Sequence, residues 1–201
     1  DQDVSLSWMP LTHDMGLIGL HLCMLAAGIE QTIMDTRLFS RRPLLWLEEA
    51  SRIRATVLCS PNFGYKHFLK VYASKGLEKL DLSCVRLLIN GAEPISVALC
   101  EQFNHEMQRF GLSKSAMFPV YGLAEASLAV TMPEPGQAYR SRTVARGSLA
   151  VGQTPQFVGR EFAGGRELMA VGKPIRDCEL RVADDKDCPL ATGLVGHLQI
   201  R

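Results

Sequence analysis

Three short segments carry the side chains that could do chemistry. In Ser7-Trp8-Met9-Pro10-Leu11-Thr12-His13-Asp14-Met15-Gly16-Leu17-Ile18-Gly19, an imidazole and a carboxylate adjoin just ahead of an apolar run. Asp14 suits the start of a helix there, because a short carboxylate accepts from the free N–H groups of a first turn. The same His-Asp doublet occurs in metal-dependent phosphohydrolases, with His21 and Cys23 as further ligand candidates. In Asn90-Gly91-Ala92-Glu93-Pro94-Ile95, a glycine and a small residue let backbone groups approach a flat ligand closely. It reads equally as an ordinary strand-to-helix turn.

The third segment is Pro119-Val120-Tyr121-Gly122-Leu123-Ala124-Glu125-Ala126-Ser127-Leu128. Tyr121 at a strand end offers a stacking face worth roughly 1–3 kcal/mol to a base. Glu125 is either a solvated helix residue or a ligand for Mg²⁺, which favours one or two protein carboxylates plus substrate phosphates. The patterns G-x-x-x-x-G-K-[ST], G-x-G-x-x-G and G-x-S-x-G do not occur. The three segments together describe a nucleotide-sized site without its phosphate loop.

The elements that must position these segments alternate. The pattern predicts helix over Gly16–Ala27, a short strand over Gln31–Asp35, and a helix with Pro43 in its first turn and Trp46, Leu47, Ala50 and Ile53 on one face. A buried strand over Thr56–Ser60 stops at Pro61, helix follows over Phe63–Ala73, and strand over Val85–Asn90. Ser96 caps the next helix, Leu99, Phe103, Met107 and Phe110 form its stripe, and Gly111 closes it. A strand over Ala116–Tyr121 leads into a helical segment over Leu123–Ala129. Strands separated by helices imply a parallel sheet with helices on both faces, whose ligands sit beyond the carboxyl ends of its strands.

Composition shifts after Met132. Residues 133–167 hold six Gly and three Pro, together with Arg140, Arg142, Arg146, Arg160 and Arg166. A long exposed connection with some β structure accounts for this, and an anion-binding role for the arginines is the second reading. Cys178–Ala183 and His197–Arg201 alternate like half-buried antiparallel strands. The expectation is an α/β subdomain over 1–135 and a β-rich subdomain over 136–201, the start of a β-barrel-like unit.

The net charge of +1 over 201 residues argues against a broad cationic surface for nucleic acid or anionic lipid. No apolar run reaches the roughly 18 residues a membrane span needs, and the start lacks the pattern of a secretion signal. The six cysteines form no C-x-x-C and most lie in apolar surroundings, which predicts buried, reduced thiols and a cytoplasmic setting. Both ends look cut, so the chain reads as a piece of a larger protein.

In this order, the segments resemble the adenylate-forming superfamily of acyl-CoA synthetases, peptide-synthetase adenylation domains and luciferases. Pro10 to Leu17, Pro61-Asn62-Phe63-Gly64-Tyr65, Asn90 to Pro94 and Tyr121 to Ala126 are most similar to fatty acyl-AMP ligases, including those that load polyketide and mixed peptide–polyketide synthases. Val171 to Ile175 and Gly196 to Arg201 resemble later family segments. The superfamily pattern Tyr-Gly-x-Thr-Glu has Ala124 at its Thr position here, as the acyl-AMP ligase variant does.

The resemblance implies ATP and Mg²⁺ as cofactors, and His13 and Glu125 as catalytic residues. Tyr121 would stack on adenine, with Gly91, Ala92, Glu93, Gly122, Leu123 and Ala124 around it. Glu125 would hold the metal, and His13, Asn62, Phe63 and Tyr65 would meet a fatty or other carboxylic acid. The acyl group would pass to an acyl carrier protein phosphopantetheine. Coenzyme A is the alternative acceptor, and a non-catalytic nucleotide- or acyl-binding module is the reading from another class. The resemblance also places the phosphate loop before Asp1, and the ribose-binding Asp and a small domain with the catalytic Lys after Arg201. The chain alone is therefore expected to be inactive.

Overall fold

A computed structural model describes residues 3–201. Five short strands, β1 (Val4–Ser7), β2 (Glu30–Ile33), β3 (Val57–Cys59), β4 (Leu87–Asn90) and β5 (Met117–Pro119), form one sheet in the order β2-β1-β3-β4-β5. Every pairing in it is parallel. β3 and β5 are fully buried, whereas β2 at the sheet edge leaves Glu30 and Ile33 exposed.

The first crossover is unusual. Met15–Leu22 winds as a π-helix and continues into α1 (Cys23–Ala26). The other crossovers are α2 (Thr36–Arg41), α3 (Leu44–Arg52), α4 (Asn62–Lys75) and α5 (Val97–Gln108). Helix starts follow the capping chemistry. Asp35 accepts from the N–H groups of Arg37 and Leu38, and Ser96 Oγ accepts from Leu99 N–H. Gly111, at φ +86°, ends the α5 segment as expected.

The core joins the middle strands to three helices. Leu6, Leu58 and Leu88 are fully buried, as are Trp46 of α3, Phe68 of α4 and Phe103 of α5. Their rings meet edge to face, with Tyr65 and Phe103 centroids 4.9 Å apart and Phe68 and Phe103 5.7 Å apart. At the opposite end of the sheet, Asp3, Thr56 and Arg86 tie the starts of β1, β3 and β4 together. Thr56 Oγ1 donates to Asp3 Oδ1 at 2.7 Å, and Arg86 Nε donates to the same carboxylate at 2.6 Å. Hydrogen bonding from the Arg86 guanidinium holds the Asp3 carboxyl down at about 2.

Beyond β5 the chain turns antiparallel. β6 (Tyr121–Gly122), β7 (Ala129–Met132) and β11 (Lys173–Pro174) form one small sheet. β8 (Ser141–Ala145), β9 (Phe157–Val158) and β10 (Gly165–Met169) form a second, and β12 (Leu180–Ala183) pairs with β13 (His197–Ile200) in a third.

Two expectations are corrected. Leu123–Ala129 is not a helix: only Ala124–Ala126 makes a single 3₁₀ turn, after which Ser127 adopts φ +64° and the chain returns as β7. The hairpin wins because Leu123 N–H donates to Leu128 carbonyl at 2.9 Å, closing the turn on itself. All six cysteines are free, but only Cys59 and Cys100 are buried; Cys23 and Cys188 are exposed. No helix among the described residues is long and apolar enough to cross a membrane.

Phe103 touches Trp46, Tyr65 and Phe68 at once with no exposed surface. Phe103→Ala is expected to lower unfolding free energy by about 3–5 kcal/mol, read from the denaturant midpoint at unchanged slope.

Candidate functional site

The loops that follow β1, β4 and β5 meet at the carboxyl edge of the parallel sheet around a cleft of about 500 Å³. One wall is the π-helix and α1, contributing Met15, Gly19, Leu20, Cys23 and Met24. The facing wall is the β6–β7 hairpin with Tyr121 to Ala124, Leu128 and Met132, and His13 and Ala92 stand between. A helix apolar on all sides suits this position, since one side packs on the sheet and another lines the cleft. π-Winding recurs where helices border functional sites. Two neighbouring cavities, of about 420 and 630 Å³, also border Tyr121, which stands where all three meet.

His13 is half-exposed and its Nδ1 lies 2.6 Å from Asp14 Oδ1. Met15 N–H lies 2.9 Å from that oxygen and 3.1 Å from Nδ1. At 2.6 Å a nitrogen and a carboxylate oxygen need a proton between them, so Nδ1–H donates to Asp14 and Met15 N–H donates to the same oxygen. Asp14 thus caps the helix and sets the imidazole tautomer, leaving Nε2 available to a ligand. His21 turns elsewhere, with its Nδ1 2.8 Å from Gln31 Oε1. Among the described residues no group of three or more His, Cys, Asp or Glu side chains is placed to hold a metal ion, so His13, His21 and Cys23 do not converge.

The loop after β4 is held open by side chains. Ala92 sits at φ +71°, a left-handed conformation that costs a non-glycine residue about 1–2 kcal/mol. Asn62 supplies the support: its Nδ2 donates to Pro94 carbonyl at 2.5 Å, and its Oδ1 accepts from Asn90 Nδ2 and Ser96 N–H, each at 3.3 Å. Glu93 Oε1 accepts from Phe63 N–H at 3.0 Å, placing a carboxylate at the start of α4. Beneath the loop, burial pushes the Cys100 thiol up to about 11 and the Cys59 thiol higher still, so both stay protonated at neutral pH.

Not all the expected substrate contacts gather at the cleft. His13, Ala92, Tyr121, Gly122, Leu123 and Ala124 line it, and Glu93 lines the adjoining 420 Å³ cavity beside Tyr121 and Arg166. Gly91 lies directly under Val120, where a Cβ would come within 2.9 Å of Val120 Cγ2. Asn62 instead braces the loop. Tyr65 is 1% exposed in the aromatic core and donates its hydroxyl to Ile89 carbonyl at 3.1 Å. Phe63 is exposed on the start of α4, edge-on to Trp8. Glu125 is exposed on the 3₁₀ turn at the lip of the 630 Å³ cavity. Of the five arginines, Arg160 pairs with Glu101 and Glu167 and Arg142 covers the Phe157 ring, so these two hold the connection together.

The family model for AMP-binding enzymes matches residues 1–201. The chain belongs to the AMP-binding enzyme family. This AMP-binding chain is 37% identical over 146 residues to the medium-chain-fatty-acid acyl-carrier-protein ligase JamA of Moorena producens, covering 73% of this chain and 25% of that protein. It is 33% identical over 197 residues to 4-hydroxyphenylalkanoate adenylyltransferase of Mycobacterium tuberculosis, covering 97% and 31%. Its fold matches a fatty acyl-adenylate ligase from L. pneumophila, solved with acyl adenylate and pyrophosphate, at TM-score 0.93 and 35% identity, covering 100% of this chain and 35% of that one. The chain therefore spans a quarter to about a third of the length of these relatives.

Within the AMP-binding fold, Gly122 is fixed by sterics. A Cβ there would lie 1.8 Å from Leu128 carbonyl oxygen, the acceptor that closes the hairpin. Gly122→Ala is expected to destabilise the chain by at least about 2 kcal/mol. Hydrogen exchange should show the Leu123 amide losing protection before the β4 amides do.

Proposed function

We propose that this chain is the central part of an ATP-dependent ligase that activates a carboxylic acid, of the fatty acid class, as an acyl-adenylate. The observation that carries the reading is the meeting of Tyr121, Ala92 and His13 around one cleft whose inner wall is apolar. Tyr121 supplies a face for adenine, and the backbone of Gly91 to Glu93 lies opposite. The wall formed by Gly19, Leu20, Cys23 and Met24, with Met132 facing it, offers an acyl chain a dry surface. His13, oriented by Asp14, stands beside the carboxylate at the mouth.

In this reading a carboxylate oxygen attacks the α-phosphorus of ATP, forming the acyl phosphate anhydride bond while pyrophosphate leaves. The residues present suit the metal that such a reaction uses, because Glu125 is an exposed hard-oxygen donor beside Tyr121. Mg²⁺, when bound, would offset charge on the departing pyrophosphate. A thiol then attacks the acyl carbon, a thioester forms, and AMP leaves. The acceptor thiol in our reading is a carrier-protein phosphopantetheine, supported by the similarity to JamA. The six free thiols suit a cytoplasmic setting. The division into subdomains near residue 135, and the location of the phosphate loop and catalytic Lys in the rest of the polypeptide, belong to the same reading.

Pyrophosphate exchange tests it. The full-length protein with ATP, Mg²⁺ and a panel of fatty acids should turn over, Glu125→Ala should lower its kcat by about 10²-fold or more, and the 201-residue chain alone should show no turnover. Unchanged kcat in Glu125→Ala would remove Glu125 from the mechanism.

A further inference from the structure

Five cations stand on the exposed faces of two neighbouring helices: Arg37, Arg41 and Arg42 at α2, and Lys66 and Lys70 on α4. Neither helix contains an acidic residue, and the two carboxylates at their starts bond to backbone: Asp35 caps α2, and Glu93 accepts from Phe63 N–H at the start of α4. The two helices are in contact, since His67 Nε2 lies 2.9 Å from Ser40 carbonyl oxygen and the Phe39 and His67 rings meet at 5.9 Å. Other arginines are neutralised: Arg52 by Glu49, Arg54 by Asp81, Arg86 by Asp3 and Arg160 by Glu101 and Glu167. None of the five forms an ion pair among the described residues. Neither Asp35, two residues before Arg37, nor Glu48 of α3 pairs with any of them. In a chain of net charge +1, this is a concentration of unpaired positive charge.

The start of α4 touches the loop that borders the site, through Glu93. Phe63, exposed at the start of α4, lies with its ring 5.6 Å from Trp8, five residues before His13, and its N–H is held by Glu93. Both helices begin at the carboxyl edge of the sheet, where the cleft opens.

We propose that the α2–α4 face docks an acidic protein domain that bears the acceptor thiol, with Phe63 as its apolar anchor and the five cations steering its approach. The proposal rests on the ligase reading above. Charge complementarity selects the partner: unpaired cations on a rim raise association rates with an anionic surface and fix its register, with little effect on chemistry that does not involve it. A thiol carried by a protein must also reach the cleft from nearby, and α4 starts against Glu93, which borders the adjoining cavity.

The test uses the full-length protein with a holo acyl carrier protein of net negative charge as acceptor. In Lys66→Glu/Lys70→Glu the KM for the carrier should rise by about tenfold or more. Pyrophosphate exchange and transfer to free pantetheine should be unchanged, and added salt should raise the KM of wild type but not of the variant. Lys66→Gln/Lys70→Gln should give an intermediate rise, with thermal midpoints confirming that both variants are folded. Carrier transfer with unchanged KM in both variants overturns the docking proposal. Failure of the wild type to acylate the carrier while it still exchanges pyrophosphate overturns the carrier reading itself. If the variants instead lose binding to vesicles of phosphatidylserine and phosphatidylcholine at unchanged carrier KM, the face meets a membrane and the proposal is wrong.

Discussion

One buried amide, that of Asn62, holds the site together. It belongs to the first turn of α4, yet its three hydrogen bonds reach Asn90, Pro94 and Ser96, across the whole loop that joins β4 to α5. These bonds help hold Ala92 in its left-handed conformation and the Gly91–Glu93 backbone at the edge of the site. A buried polar group left without partners costs roughly 1–3 kcal/mol, so the amide and the loop are locked to each other. Tyr65 and Glu93 reinforce the same junction, one from the core and one from the loop. The second wall is held separately, by the Leu123–Leu128 backbone bond and the missing Cβ of Gly122.

Much of this was legible in the sequence because buried elements impose strong patterns. The parallel strands read as short apolar runs, and the Ser96 cap and Gly111 stop bracket α5 as capping chemistry requires. Hairpins leave weaker traces. Leu123–Ala129 has helix-forming residues at Leu123, Ala124, Glu125 and Ala126, and a local preference of that size is overridden once a turn closes and β7 finds partners on both sides. The β-branched pair Val130-Thr131 is the signal for strand that a helical reading passes over.

The functional segments were recognisable by type, but spacing could not separate a pocket wall from a brace. Asn62, Phe63 and Tyr65 sit in one motif, and the structure sends them to a loop clamp, an exposed face and the aromatic core. For Tyr65 the signal was present: with Phe68, Leu69 and Tyr72 it keeps the helical repeat of a core stripe, and all four are buried. The cleft-lining side of the Met15–Ala26 helices had no such signal. A stretch apolar all round does not announce which side meets the sheet and which is left for a ligand, so Gly19, Cys23 and Met24 emerge only from the fold.

In the proposed function, one cleft receives the adenine at Tyr121 and the acyl chain along the Met15–Ala26 wall. A crystal structure of the full-length protein with a non-hydrolysable acyl-sulfamoyl adenosine measures this most directly. The base should lie against the Tyr121 ring, the sulfamoyl group near His13, and the chain beside Gly19, Leu20 and Met24. An adenosine bound away from Tyr121, or a chain running toward Phe63 on the outside of α4, would contradict it.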